Sequence, residues 1–87
     1  MSSEASDVAT DVRCLVQHYA PSHWRIEDLV DELPLMDEGI GFDSVRVVEL
    51  IDACDQRFGV RIPIESLVEE KPTVGGLIQR IRALRSA

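Results

Sequence analysis

The chain has 87 residues, enough for one small domain whose folding buries roughly 60–65% of the surface of the extended chain. Such a domain has a modest core, and a deep enzymatic cleft is difficult to build from it. Sixteen acidic and nine basic side chains give a formal net charge of −7. Ten of the acids but only two of the bases fall in residues 1–43, so this half repels nucleic acids and anionic membranes and favours partners with basic patches.

The cysteines and the N-terminus indicate a reducing compartment. Cys14 and Cys54 are too few for a disulfide framework, and both fall in predicted helices, where we expect small buried apolar side chains. No apolar run is long enough to cross a bilayer, and the first residues lack the features of a secretory signal peptide. We therefore expect a cytoplasmic monomer with no membrane partner, a flexible N-terminus at residues 1–6 and a single domain at residues 7–87.

A first helix is predicted from Asp7, because apolar residues recur from there at helical spacing until Pro21 ends the pattern. Asp7 and Asp11 lie near its start, where the helix dipole favours acidic side chains. Its apolar positions are Val8, Val12, Leu15, Val16 and Tyr19.

The segment 21–43 is less regular and predicts a long crossover. A short helical piece fits the apolar spacing of residues 26–33, but Pro34, Gly39 and Gly41 prevent any continuation. Long loops are uncommon in small domains, so we expect this one to be ordered by packing on the core. The side chains available for that packing are Trp24, Leu29, Leu33, Leu35 and Ile40.

The second helix is predicted from Ser44 to Phe58, with Asp43 as its N-cap and Gly59 as its C-terminal stop. At about 100° per residue, one broad apolar face belongs to the core. Its members are Val47, Leu50, Ile51, Cys54 and Phe58. The opposite stripe is acidic and polar, with one apolar residue at its top, and consists of Val45, Glu49, Asp52 and Gln56.

The remaining chain predicts one short and one long helix. Residues 60–63 form an extended connection, and a short third helix spans Glu65–Glu70. Thr73 caps a last helix, in which Gly75 and Gly76 allow close approach to a neighbour. Its apolar stripe is Val74, Leu77, Ile78, Ile81 and Leu84. The sequence thus predicts an all-α fold, a small four-helix bundle of three main helices and one short helix with a long first crossover loop.

Neither a catalytic residue nor a metal site is predicted. A serine nucleophile at Ser44 needs a base within hydrogen-bond reach, but the only histidines are His18 and His23, at the end of the first helix and the start of the crossover. The glycines of a Gly-x-Ser-x-Gly elbow are also missing. Cys14 and the two histidines lack the recognised spacing and the number of converging ligands that zinc requires.

The position of Ser44 suits a covalent modification. A helix N-terminus presents free backbone amides and a positive partial charge, so it tolerates a phosphate on a hydroxyl there. Serine is common at helix starts for structural reasons alone, and position by itself favours an unmodified residue. The surrounding residues change that balance.

Three blocks of the sequence resemble acyl carrier proteins. Gly41–Val45, with Val48–Leu50 beyond it, resembles their phosphopantetheine attachment motif, Gly-x-Asp-Ser-Leu followed by a hydrophobic residue, Glu and Leu on the same helix. Phe58–Pro63 is similar to the family's segment after its second helix, and Lys71–Leu77 to the start of its last helix. The resemblance is in register from about Leu35 to the C-terminus, and the first helix fits by pattern only.

The resemblance implies that a phosphopantetheinyl transferase moves 4′-phosphopantetheine from coenzyme A onto Ser44. The arm would hold acyl intermediates as thioesters, and the single carrier domain at residues 7–87 would deliver them to acyl-transferring and condensing enzymes with basic docking patches. The chemistry then belongs to the partners, and the chain is no enzyme. The partner-binding residues implied are the N-cap, which helps the transferase position the serine, and the exposed stripe of the second helix: Asp43, Val45, Glu49 and Asp52.

The chain departs from the family pattern at three positions. Val45 replaces the usual Leu, Arg46 stands where fatty-acid carriers often have an acid, and Gly39 is one additional residue before the motif. The sequence Gly41–Ser44 is closer to polyketide-type carriers, so our hypothesis is a discrete carrier of a polyketide or fatty-acid-like pathway. The alternatives are a peptidyl carrier loaded with an amino acid and an unmodified helical protein-interaction module.

Overall fold

Four α-helices and one short 3₁₀ turn, with no strand, make up the regular structure of residues 7–36 and 38–86, the part of the chain that the computed structural model describes. In chain order they are α1 (Asp7–Tyr19), the 3₁₀ turn (Ile26–Asp28), α2 (Ser44–Phe58), α3 (Ile64–Glu69) and α4 (Val74–Ser86). The all-α bundle with three main helices, one short helix and a long first crossover is confirmed. The flexible N-terminus predicted at residues 1–6 lies outside the described residues.

Helix α1 ends two residues before Pro21, where its apolar spacing stops. Its buried stripe is Val8, Val12 and Val16, spaced four residues apart. This stripe packs α1 against both α2 and α4. The expectation that Cys14 is buried is wrong, because two residues beyond Val12 the helix has turned by about 200° and places this side chain in solvent.

In the described part of the crossover, the helical piece that the spacing of residues 26–33 allows is a three-residue 3₁₀ turn. The carbonyls that would continue such a helix are used elsewhere: Asp31 O accepts the Gly75 N–H at 2.9 Å, and Leu33 O accepts the Val74 N–H at 3.0 Å. These bonds satisfy backbone donors at the start of α4. The predicted packing of the crossover is confirmed, with three residues buried and two partly buried: Leu29, Leu35 and Ile40, then Trp24 and Leu33.

Helix α2 has the bounds and caps that the sequence predicts. Asp43 accepts a hydrogen bond from the Arg46 N–H at 2.7 Å, and Gly59 ends the helix with a φ of 67°, in the left-handed region that favours glycine. The Asp55 carboxylate accepts the Ile62 N–H at 3.0 Å and turns the chain towards α3. The predicted core face is confirmed, with four buried members and one partly buried: Val47, Leu50, Ile51 and Cys54, then Phe58.

Helix α3 is shorter than two turns and begins one residue earlier than predicted. Leu67 is its buried residue. The chain leaves α3 through Lys71, whose φ of 54° costs a non-glycine residue roughly 1 kcal/mol. Thr73 then caps α4 as predicted, because its hydroxyl accepts the Gly76 N–H at 3.0 Å.

The two glycines of α4 differ in their surroundings. A Cβ added at Gly75 would lie 2.7 Å from the Asp31 Cβ and 3.1 Å from the Asp31 carbonyl oxygen. Gly76 is exposed, and a Cβ there would meet only the Thr73 hydroxyl at 3.3 Å. The close approach predicted for both glycines therefore holds for Gly75 and is wrong for Gly76, which points away from the crossover.

Cys54 is fully buried against the other helices. Burial, with a smaller contribution from the neighbouring Asp55 carboxylate, raises the pKa of its thiol from 9.0 to about 12. The folded protein therefore keeps this proton over a pH range in which the unfolded chain releases it.

We expect Gly75→Ala to lower the free energy of unfolding by about 1–3 kcal/mol, because its methyl group overlaps Asp31. Gly76→Ala is the matched control and should change the free energy of unfolding by less than about 1 kcal/mol, since alanine favours a helix more than glycine does. Urea unfolding followed by circular dichroism measures both. Equal destabilisation of the two variants would contradict the close contact at Gly75.

The buried thiol gives a pH dependence with a defined sign. Because the unfolded chain binds fewer protons above its ordinary thiol pKa, the free energy of unfolding should fall as pH rises from 9.0 towards 12. The slope from this group is at most about 1.4 kcal/mol per pH unit. Urea unfolding at about pH 8 and about pH 10 should show a smaller fall in Cys54→Ala than in wild type. An unchanged fall in Cys54→Ala would show that other groups cause it.

Candidate functional site

Ser44 is the first residue of α2, and its side chain is exposed. The helix start is capped by Asp43, so the serine hydroxyl is not needed as a cap. The side-chain hydrogen bonds found within residues 7–36 and 38–86 do not include one to Ser44. The hydroxyl is therefore at the surface and free to be modified.

The loop before Ser44 is fixed to the core by one aromatic residue. Phe42 is 1% exposed, and its N–H donates to the Leu35 carbonyl at 3.0 Å. Gly41 donates to the same carbonyl at 3.1 Å and has a φ of 92°, which favours glycine. The motif therefore combines a turn that requires glycine, a buried phenylalanine, a capping aspartate and an exposed serine.

The backbone at the start of α2 favours an anion. The first turn of α2 carries amides without intrahelical acceptors, at the positive end of the helix dipole. Arg46, two residues on, donates from Nη1 to the Tyr19 carbonyl at 3.3 Å, where α1 ends. This bond ties the start of α2 to the negative end of α1 and keeps a cation near the site.

An open cavity of about 360 Å³ lies beside Ser44, between α2 and α3. Its lining residues are Ser44, Val48, Ile64, Glu65, Val68 and Glu69. Val48 is 50% exposed, and Ile64 and Val68 are partly buried, so the cavity offers apolar surface with two carboxylates in its lining. None of the site residues predicted from the sequence lies in α3, although the spacing of Ile64 and Val68 by four residues is a weak signal.

The sequence-predicted partner residues lie on the exposed side of α2. Asp43, Val45, Glu49 and Asp52 are all exposed, and Val45 reaches 70%. Two of them also line a polar cleft of about 600 Å³ on the α1 side of the helix, together with residues that the sequence analysis did not place in the site. The lining of this cleft is Tyr19, Glu49, Asp52, Ala53, Gln56 and Arg57. Helix α2 therefore presents an apolar cavity towards α3 and an acidic surface towards α1.

The described part of the chain offers neither a metal-binding cluster nor a membrane-spanning helix. Residues 7–36 and 38–86 contain no group of three or more His, Cys, Asp and Glu side chains placed to hold a metal ion. Cys14, His18 and His23 are exposed, and the His18 ring packs edge-on against Tyr19. Within the same ranges, no helix has the length and apolar character to cross a membrane.

Comparison with known families identifies the family of the chain. A family model described as "Phosphopantetheine attachment site" matches residues 23–81, from the crossover to α4. Searches of the curated proteins and of the solved structures returned no match. The family match spans well over half of the chain and includes α2, α3 and the loop that presents Ser44. The chain therefore belongs to the phosphopantetheine-attachment family, whose domains carry 4′-phosphopantetheine covalently.

Proposed function

We propose that Ser44 carries the 4′-phosphopantetheine arm and that the chain is an acyl carrier protein. The observation that carries this proposal is the exposed Ser44 hydroxyl at the N-terminus of α2, within the family match. The match contains only one other serine, Ser66, which lies in the first turn of the six-residue helix α3, directly after Glu65. Ser44 instead begins the fifteen-residue helix α2, whose first turn carries no acidic residue, so a phosphate is better stabilised on Ser44.

The surroundings of Ser44 fit both ends of the arm. The positive end of α2 stabilises a phosphodiester, and the cavity beside the hydroxyl offers the apolar side chains of Val48, Ile64 and Val68 to a flexible chain. When bound, the arm supplies a terminal thiol that holds acyl groups as thioesters. Asp43 uses Oδ1 for the cap, so its other carboxylate oxygen is left for a transferase that positions the serine.

The exposed side of α2 supports docking of partner enzymes. Val45 and Val48 are exposed apolar residues next to the serine, and Glu49 and Asp52 follow on the acidic surface. Such a surface attracts partners with basic patches, and the apolar residues supply contact area. The partners that we infer are a phosphopantetheinyl transferase and acyl-transferring and condensing enzymes. The catalysis belongs to them, and the carrier itself is not an enzyme.

Acyl cargo is favoured over aminoacyl cargo by three features. The cavity at Ser44 has apolar walls, and the net charge of −7 and the residues Phe42 and Asp43 before the serine match acyl carriers better than peptidyl carriers. We therefore place the chain in a polyketide or fatty-acid-like pathway, as a cytoplasmic monomer. Loading of the modified protein by an acyl-transferring or by an adenylating partner enzyme distinguishes the acyl carrier from the peptidyl carrier.

Attachment at Ser44 is tested by intact mass after incubation with coenzyme A, magnesium ions and a broad-specificity phosphopantetheinyl transferase. Wild type and Ser66→Ala should each gain one phosphopantetheinyl mass, and Ser44→Ala should gain none because its acceptor hydroxyl is missing. Modification of Ser44→Ala would refute this site. A folded wild type that stays unmodified, while a control carrier is modified in parallel, would favour the unmodified interaction module.

Docking through the acidic surface of α2 is tested by charge reversal. We expect the double variant Glu49→Lys, Asp52→Lys to lower kcat/KM of the transferase reaction about tenfold at low salt, and less at high salt. The control Asp28→Lys, Glu32→Lys makes the same change in net charge at exposed crossover positions and should stay within about twofold of wild type. Equal losses in the two double variants would show that net charge or the crossover, not α2, attracts the partner.

A further inference from the structure

A second cavity of about 360 Å³ lies next to the one that contains Ser44. It is lined by Pro34, Met36, Glu38, Val68, Lys71 and Pro72. Val68 lines both cavities, so they adjoin each other along α3. From Ile64 in the first cavity to Val68, which lines both cavities, α3 rises about 6 Å at 1.5 Å per residue, a distance that a flexible arm can cover.

The second cavity combines apolar walls with one cation and one anion. Four of its lining residues are apolar, and the charged ones are Lys71 and Glu38. The ion pairs found within residues 7–36 and 38–86 do not join these two side chains. The ammonium of Lys71 can therefore donate to a ligand, and the carboxylate of Glu38 can accept from one.

Lys71 stands at a position that favours a different residue type. Its φ of 54° lies in the left-handed region, where glycine is unstrained and where helices commonly end in glycine. It is also the one lysine of the sequence, whose eight other basic residues are arginines. The flexible ammonium of Lys71 thus lies at the cavity although its left-handed backbone costs free energy. Residues with such strained backbones are often found at functional sites.

We propose that the second cavity receives the distal part of the acyl chain held on the Ser44 arm, and that Lys71 donates a hydrogen bond to a ketone or hydroxyl oxygen of that chain. This inference rests on the proposed attachment at Ser44. It assigns the cargo to oxygenated acyl chains and separates it from saturated alkyl chains, which offer the exposed ammonium no hydrogen-bond acceptor.

The charges around the two cavities favour neutral oxygens over a carboxylate. Glu38 lines the second cavity beside Lys71, and Glu65 and Glu69 line the first. An anionic chain end would pass Glu65 and Glu69 and would then lie beside Glu38, and each of these carboxylates repels it. A ketone accepts from Lys71 without that repulsion, and a hydroxyl can also donate to Glu38.

The test follows the side chain of Lys71 by NMR. Lysine-selective ¹³C labelling gives a single side-chain spin system, because Lys71 is the only lysine. The transferase attaches pantetheine analogues in which a stable amide replaces the thioester, and intact mass confirms each attachment. The analogues end in a saturated chain, in a chain of equal length with a ketone near its end, or in one with a terminal carboxylate.

We expect the ketone chain to shift the Lys71 Cε signal by about three times as much as the saturated chain does. The shift caused by the carboxylate chain should be no larger than the shift caused by the saturated chain. A second set of samples carries ¹³C in the valine methyl groups and has unlabelled lysine. In these samples, NMR contacts between the ketone chain and Val68 should persist in Lys71→Arg, because arginine keeps a hydrogen-bond donor. They should weaken in Lys71→Met, which keeps only the length. Arg82→Met, an exposed cation that lines neither cavity, should behave as wild type.

The outcomes separate this inference from the proposed function. If no analogue attaches to the folded protein, the attachment at Ser44 fails, and the inference fails with it. If the analogues attach but the ketone and saturated chains shift Lys71 equally, the carrier function stands and the cargo inference is overturned. A largest shift with the carboxylate chain would also overturn it, in favour of an anionic cargo.

Discussion

The backbone of Leu35 joins the two parts of the molecule on which the site depends. Its N–H donates to the Pro72 carbonyl at the start of α4, and its carbonyl accepts from both Gly41 and Phe42 in the loop before Ser44. Leu35 itself is fully buried, so these bonds are shielded from water and competing partners. The serine therefore has a defined position although it follows a long crossover with only one short turn.

Helix α2 separates two tasks by using two of its sides. The side towards α3 offers apolar surface next to Ser44, suited to a bound chain, and the side towards α1 offers Glu49 and Asp52, suited to basic partners. Arg46 does not disrupt this division, because its guanidinium is turned to the end of α1 and bonds the Tyr19 carbonyl. The arginine that departs from the fatty-acid carrier pattern is thus a link between helices.

Most of the fold could be predicted because its signals are local. The bounds of α1 and α2, the Asp43 and Thr73 caps and the Gly59 stop each follow from residues within one or two turns of the feature. The burial expected of Cys14 follows from its residue type alone and is wrong, because its position lies opposite the buried Val12 stripe. Local sequence also placed Ser44 at a helix start.

The sequence by itself determined the all-α class, the helix that begins at Ser44 and the acidic stripe that follows, since these depend on spacing along one element. Only the tertiary structure decided that Val48 meets Ile64 and Val68 across a cavity and that Lys71 adjoins the same cavity. Those contacts depend on how α3 and the crossover pack. That packing is set by long-range bonds such as Leu35 to Pro72, for which no local pattern exists.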